Sequence, residues 1–77
     1  MSKFNGHKNW NHWNVSLWIN NDEGLYKLAR SYVAEVSGGR NKAALHMLLA
    51  LNRRGITHTP DGAPYSVSSI RAAMVGM

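Results

Sequence analysis

Apolar positions along the chain fall into four blocks with helical spacing, separated by short polar or glycine-containing breaks. In the first block, Trp10 to Ile19, Trp10, Trp13 and Leu17 share one face, Val15 and Ile19 lie on another, and Trp18 stands between them. A short segment that is apolar nearly all round is expected to be largely buried. A strand over Val15 to Ile19 is the competing reading. The second block has Leu25, Leu28, Ala29, Tyr32, Val33 and Val36 on one stripe, which predicts a helix ending near Val36. Asn20 is the expected N-cap of that helix, with Glu23 three residues on as in a capping box and Asp22 at the positive end of the helix dipole. Ser37-Gly38-Gly39 is its stop.

The third block runs from Lys42 to Arg54 with Asn41 as its expected cap and Gly55 as its stop. Its apolar surface is wide, as in a central helix. Thr59-Pro60-Asp61-Gly62 reads as a type I turn that joins two very short strands around Thr57 and Tyr65. Ser66 then caps a last helix with Val67, Ile70 and Met74 facing inward, and Gly76 ends it. The expected fold is therefore mainly α: a single small bundle of about four helices, with a short turn or mini-hairpin between the last two. Residues 1–9 are expected to form a flexible N-terminal arm and residues 10–77 a single helical domain. Trp13, Leu17, Leu28, Tyr32, Leu48, Leu51, Ile70 and Met74 are expected to share its core.

Composition narrows the class. The 77 residues suffice for one domain, and 44% are hydrophobic, enough for a packed core. There is no cysteine, so neither a disulfide nor a thiolate metal site staples the fold. The first residues lack the apolar stretch of a signal peptide, and no run approaches the ~20 apolar residues of a transmembrane helix. These features suggest a cytoplasmic protein without membrane contact. Net charge is +5, unevenly placed. Residues 1–39 carry Lys3, Lys8, Lys27 and Arg30 against Asp22, Glu23 and Glu35, whereas residues 40–77 carry Arg40, Lys42, Arg53, Arg54 and Arg71 against Asp61 alone. A basic half suits a polyanionic or acidic partner, and it also suits a solvated surface that keeps a small protein in solution.

Candidate chemistry is sparse. His7, His12, His46 and His58 have no metal-site spacing, so no metal or other cofactor is expected. There is no Gly-x-Ser-x-Gly elbow and no phosphate-binding glycine loop, and Asp22 and Glu23 read better as helix-start residues than as an acidic catalytic pair. The chain is expected not to be an enzyme. Trp10, Trp13 and Trp18 are expected to be core, with a base-stacking platform as the alternative.

Two resemblances add to this. Leu51-Asn52-Arg53-Arg54-Gly55-Ile56, the Thr59-Pro60-Asp61-Gly62 turn, Tyr65-Ser66 and Ile70-Arg71 follow one another as in a stretch of the recombinase domain of large serine recombinases. That resemblance, over about residues 48–74, implies a DNA-binding segment. It does not imply recombination, because the chain has no room for that family's catalytic domain. The chain departs from the pattern at Asp61, where a basic residue is common, at Tyr65, where Trp is common, and by one extra residue between Ile56 and Thr59. Residues 13–19, Trp13-Asn14-Val15-Ser16-Leu17-Trp18-Ile19, followed by Asn21-Asp22-Glu23-Gly24-Leu25-Tyr26, resemble small uncharacterised proteins of bacteriophages and prophages. That implies a phage origin and a bacterial host cell.

Two functions fit. One is a DNA-binding accessory protein in which the third and fourth helices form a helix-turn-helix variant. Arg40, Lys42, Arg53 and Arg54 would then meet phosphate, while Ser68, Ser69 and Arg71 face the groove. The other is a phage-encoded inhibitor of an acidic host protein, an anti-defence factor such as an anti-CRISPR or a host-takeover factor, acting through protein–protein binding.

Overall fold

The computed structural model describes residues 6–77. Part of the expected N-terminal arm, residues 1–5, lies outside the described residues. Four helices follow in order: α1 Trp10–Asn21, α2 Glu23–Glu35, α3 Arg40–Arg53 and α4 Val67–Ala73. No strand forms among the described residues; a single antiparallel bridge joins His58 to Pro64. The fold is mainly α, and each helix packs on its sequence neighbours while α4 closes the ring against α1.

The breaks are set by local hydrogen bonding. Asn9 caps α1, its side-chain oxygen accepting the His12 N–H at 3.0 Å. Asp22 does two jobs at one position. Its backbone N–H donates to the Trp18 carbonyl at 2.9 Å to close α1, and its carboxylate accepts the Leu25 N–H at 2.9 Å to open α2. The expected cap, Asn20, is instead inside the last turn of α1, where its amide donates to the Ser16 carbonyl at 2.9 Å. A carboxylate caps a helix start more strongly than an amide because it is charged as well as an acceptor. Glu23 forms no capping box; it pairs with Lys27 at 2.8 Å on the solvent face. Gly39, at φ 91°, turns the chain into α3 with no side-chain cap, which leaves Asn41, the expected cap, one residue inside the helix. Glycine takes that conformation without the Cβ penalty of other residues.

The connection from α3 to α4 is a mini-hairpin. Gly62 N–H donates to the Thr59 carbonyl at 2.9 Å, Thr59 N–H to Ala63 at 2.8 Å and Tyr65 N–H to Thr57 at 3.0 Å. Ser66 then caps α4 as expected, reciprocally with Ser69.

The core draws Val15 and Ile19 from α1, Ala29 from α2, Ala44, Met47 and Leu51 from α3, and Ile70 and Met74 from the α4 segment. Leu28, Tyr32 and Leu48 are half-buried against it. Trp13 and Leu17 are not part of it: Trp13 is half-buried outside the cluster, and Leu17 and Trp10 are each 39% exposed. The buried face of α1 is thus the one with Val15 and Ile19, and the Trp10–Trp13–Leu17 face points outward.

Asn14 explains the choice. It is 1% exposed and lies beside Val15 on the buried side. Its amide donates to Asp61 Oδ2 at 2.9 Å, and its carbonyl oxygen accepts the Thr59 hydroxyl at 2.6 Å. Thr59 Oγ1 also accepts the Ala63 N–H at 3.0 Å, and Trp18 Nε1 donates to Asp61 Oδ2 at 2.9 Å. These bonds from Asn14 and then Trp18 hold the Asp61 carboxyl below its ordinary 3.8.

The core assignment predicts that Leu51→Ala costs ~2–5 kcal/mol in urea unfolding, while Leu17→Ala costs less than ~1 kcal/mol. The Asp61 assignment makes a prediction in pH. A carboxyl depressed by folding stabilises the fold above its unfolded value, and that contribution is lost as pH falls through the lower folded value. The melting temperature should therefore drop on acidification below about pH 4. Asp61→Asn should melt lower than the parent at neutral pH, with the gap narrowing as the solution is acidified. A gap that is constant with pH would show that the carboxylate charge does not contribute.

A candidate nucleic-acid interface

The seven residues of α4 sit between α1 and α3, so only one side of the helix meets solvent. Ser68 and Arg71 are on that side, followed just past the helix by Val75, which is 73% exposed. Ser69 is not. It is 1% exposed, its hydroxyl donates to the Ser66 carbonyl at 3.2 Å and accepts the Ser66 N–H at 3.0 Å. The expectation that Ser69 faces a groove is corrected: its position in the first turn commits it to the capping box.

Around Ser68 and Arg71 the surface dips into a shallow hollow of about 550 Å³. His12 from α1, Asn41 from α3, and Val67, Ser68, Arg71 and Ala72 from α4 line it, and no carboxylate does. His12 Nε2 and Ser68 Oγ are 3.3 Å apart, and Ser68 Oγ is also 3.3 Å from Ser66 Oγ. Partial burial holds the His12 imidazole below its ordinary 6.5, and the positive charges of Lys8 and His7 add to the effect. The hollow therefore presents a guanidinium, a hydroxyl, an amide and an imidazole, which are donors or donor-capable groups suited to an oxyanion.

The other basic residues divide into two groups. Arg40 and Lys42 stand in the first turn of α3, beside Asn41. Arg40 Nε donates to the Met74 carbonyl at 3.1 Å, which fixes its guanidinium at the end of the α4 segment. Arg53 and Arg54 stand at the opposite end of α3. At 1.5 Å per residue the two groups are roughly 20 Å apart along the helix axis. Lys42, Arg53, Arg54 and Arg71 form no ion pair among the described residues. The structure thus brings Ser68 and Arg71 together in the hollow and holds Arg40 at the end of the α4 segment, while Lys42 lies against Gly38 and Arg53 and Arg54 stand at the far end of α3.

His12 and Asn41 were not expected here. His12 is 56 residues from Ser68, so only packing of α1 on α4 reveals the pairing. Asn41 reads as a cap in the sequence, and becomes available to the hollow because Gly39 takes the cap position. The α3–α4 pair also departs from a tight helix-turn-helix. Thirteen residues, 54–66, separate the helices, where that motif has a turn of about 3–4. Among the described residues no three histidines or carboxylates gather closely enough to share a metal ion, and no helix is long and apolar enough to cross a membrane.

The electrostatics of His12 are open to test. Its ring resonances should titrate below 6.5, and Lys8→Ala should move the midpoint upward by removing a positive charge. Protonating a base that folding holds below its unfolded value destabilises the fold, so His12 favours folding above 6.5 and less so as pH falls through its folded value. No change in the midpoint in Lys8→Ala would leave burial and His7 as the causes.

Neither a curated protein nor a solved structure matches the chain. One family model does, over residues 1–77, and the chain belongs to that family, a family of unknown function (DUF7249).

Proposed function

We propose that this protein is a small, non-enzymatic, phage-type accessory protein that binds nucleic acid through α4 and the first turn of α3. The observation that carries this reading is the hollow around Arg71 and Ser68, lined by donors without a carboxylate, with Arg40 held at the end of the α4 segment and Lys42 in the same turn of α3. A phosphate backbone is the polyanion that such a face suits, since affinity there comes from cations and hydroxyl donors. The exposed sequence of α4, Ser68-x-x-Arg71-Ala72, carries a fork that reads guanine and a small apolar group that tolerates a thymine methyl. The resemblance of residues 48–74 to a DNA-binding segment points the same way, and the phage-protein resemblance suggests the cytoplasm of a bacterial host as its place of action. The hairpin between α3 and α4 makes this a divergent form of the helix-pair reader.

A second reading, inhibition of an acidic host protein, is favoured by the outward apolar face of α1, where Trp10 and Leu17 are each 39% exposed. Large apolar groups on a surface suit a protein partner.

The test is binding of labelled duplex DNA by fluorescence anisotropy across a salt series. Affinity should fall with a log–log slope of about −0.9 per phosphate contact. Lys42→Ala should flatten that slope and weaken all sequences alike. Arg71→Ala should lose ~1–3 kcal/mol on a preferred site and little on random duplex. Arg53→Ala and Arg54→Ala, being at the far end of α3, should weaken binding less than Lys42→Ala on a short duplex. Absence of binding at low salt would sink the nucleic-acid reading. Specific recovery of a host protein from nuclease-treated lysate, lost in Trp10→Ala or Leu17→Ala, would then replace it with the second.

A further inference from the structure

A second concavity lies at the opposite end of α3 from the basic hollow. It is a cleft of about 610 Å³, within the range of small-ligand sites. Its walls are apolar and come from every part of the chain but α4: Trp18 from α1, Leu25 and Leu28 from α2, Leu51 from α3, and Ile56 and Pro60 from the hairpin connection. Ile56 is 38% exposed despite its size.

Tyr65 lines this cleft and is 8% exposed. Its backbone N–H bonds to Thr57, but its hydroxyl has no hydrogen-bond partner among the described residues. No fully enclosed side-chain oxygen among those residues lacks a partner, so the Tyr65 hydroxyl is not sealed in the core and opens on the cleft. A tyrosine O–H that meets no protein group and opens on a cleft is free to donate to whatever occupies it. Burial, and then the negative charge of Asp22, hold its phenol above the ordinary 10.0, so it remains a donor at neutral pH.

Two charges flank the cleft. Arg54 forms no ion pair among the described residues. The Asp22 carboxylate already accepts the Leu25 N–H at the start of α2, where the helix dipole offsets its charge. The group left without a counter-charge is Arg54.

We propose that this cleft is a second binding site, for a small aromatic carboxylate whose ring lies between Trp18, the α2 leucines and Pro60 while its carboxylate meets the Tyr65 hydroxyl and the Arg54 guanidinium. This inference does not rest on the nucleic-acid reading, since it uses a different surface and a different ligand.

The experiment is titration of ¹⁵N-labelled protein with indole-3-acetate, its neutral amide, and tryptamine, which carries an ammonium in place of the carboxylate. The Trp18 indole N–H, bonded to Asp61 at 2.9 Å, is a reporter built into the wall. Indole-3-acetate should give saturable shifts at the Trp18 indole and at the Leu25, Ile56 and Tyr65 amides. The amide should bind about tenfold more weakly, and tryptamine more weakly still. Arg54→Gln should abolish the preference for acid over amide. Tyr65→Phe should weaken both ligands by a similar factor while leaving the melting temperature unchanged, because the lost hydroxyl bonds nothing in the protein. Spectra of each variant in the absence of ligand establish that it folds. The proposal is overturned by non-saturating shifts, by tryptamine binding as well as the acid, or by Tyr65→Phe binding undiminished.

Discussion

A single buried amide, Asn14, organises this fold. It is the most enclosed polar side chain of α1 and is 1% exposed. Enclosed without partners, such an amide would cost about 1–3 kcal/mol for each unmet group. Here it is met on both sides by the hairpin, through Thr59 on its oxygen and Asp61 on its nitrogen. The bonds are directional, so they fix both the rotation of α1 and the position of the hairpin. Hydrophobic burial alone would not do so, because α1 has apolar residues on two sides. Turning the other face inward would bury Trp10 and Leu17 and leave Asn14 without the partners it needs.

From that contact the remaining geometry follows. With the hairpin held on α1, the chain reaches Ser66 beside α1, and its reciprocal cap with Ser69 starts α4 there. The α4 segment then closes the ring with Ile70 and Met74 inside, and its end is fastened to the start of α3 by Arg40 on the Met74 carbonyl. Small side chains allow this closeness: Ala29, Ala43, Ala44, Ala63 and Ala73 are all buried. The price is a modest core, in which a hydrogen-bonded network supplies what bulk does not. The same packing joins His12 to Ser68 and sets Asn41 beside them, which makes the hollow from three helices.

The two candidate sites differ in how the structure presents their chemistry. The hollow at the start of α3 carries four polar side chains, one of them a guanidinium, beside Val67 and Ala72 and no carboxylate, so an anion attracted there would be held by charge that salt screens. The cleft at the end of α3 is mostly apolar, with one hydroxyl and one guanidinium that have no partner among the described residues, so a ligand there would be chosen by shape and by a few directed bonds. Arg54 lines the second and not the first. The acidic turn residue, Asp61, is turned toward Asn14 and Trp18 and lines neither site.

What the sequence determined by itself was local. Helical periodicity, the glycines at residues 38, 39 and 55, the Thr59–Gly62 turn and the Ser66 cap all act within a few residues, and four helices with a mini-hairpin between the last two could be read from them. Arg40, Lys42, Arg53, Arg54, Ser68, Ser69 and Arg71 were legible as candidates from charge and helix position, but not which of them the fold brings together. Where two local signals competed, tertiary structure decided. Asn20 and Asp22 are both good caps, and Asp22 prevails where α1 extends to Asn21. Trp13 and Leu17 compete with Val15 and Ile19 for the inside of α1, and the outcome rests on Thr59 and Asp61, 45 and 47 residues away from Asn14. Ser69 and Ser68 look alike as neighbours, yet one caps and the other is exposed. A hydrogen bond across such a separation leaves no periodicity in the sequence, so the inward face of α1, the membership of the hollow and the opening of Tyr65 onto its cleft were settled only when the helices packed.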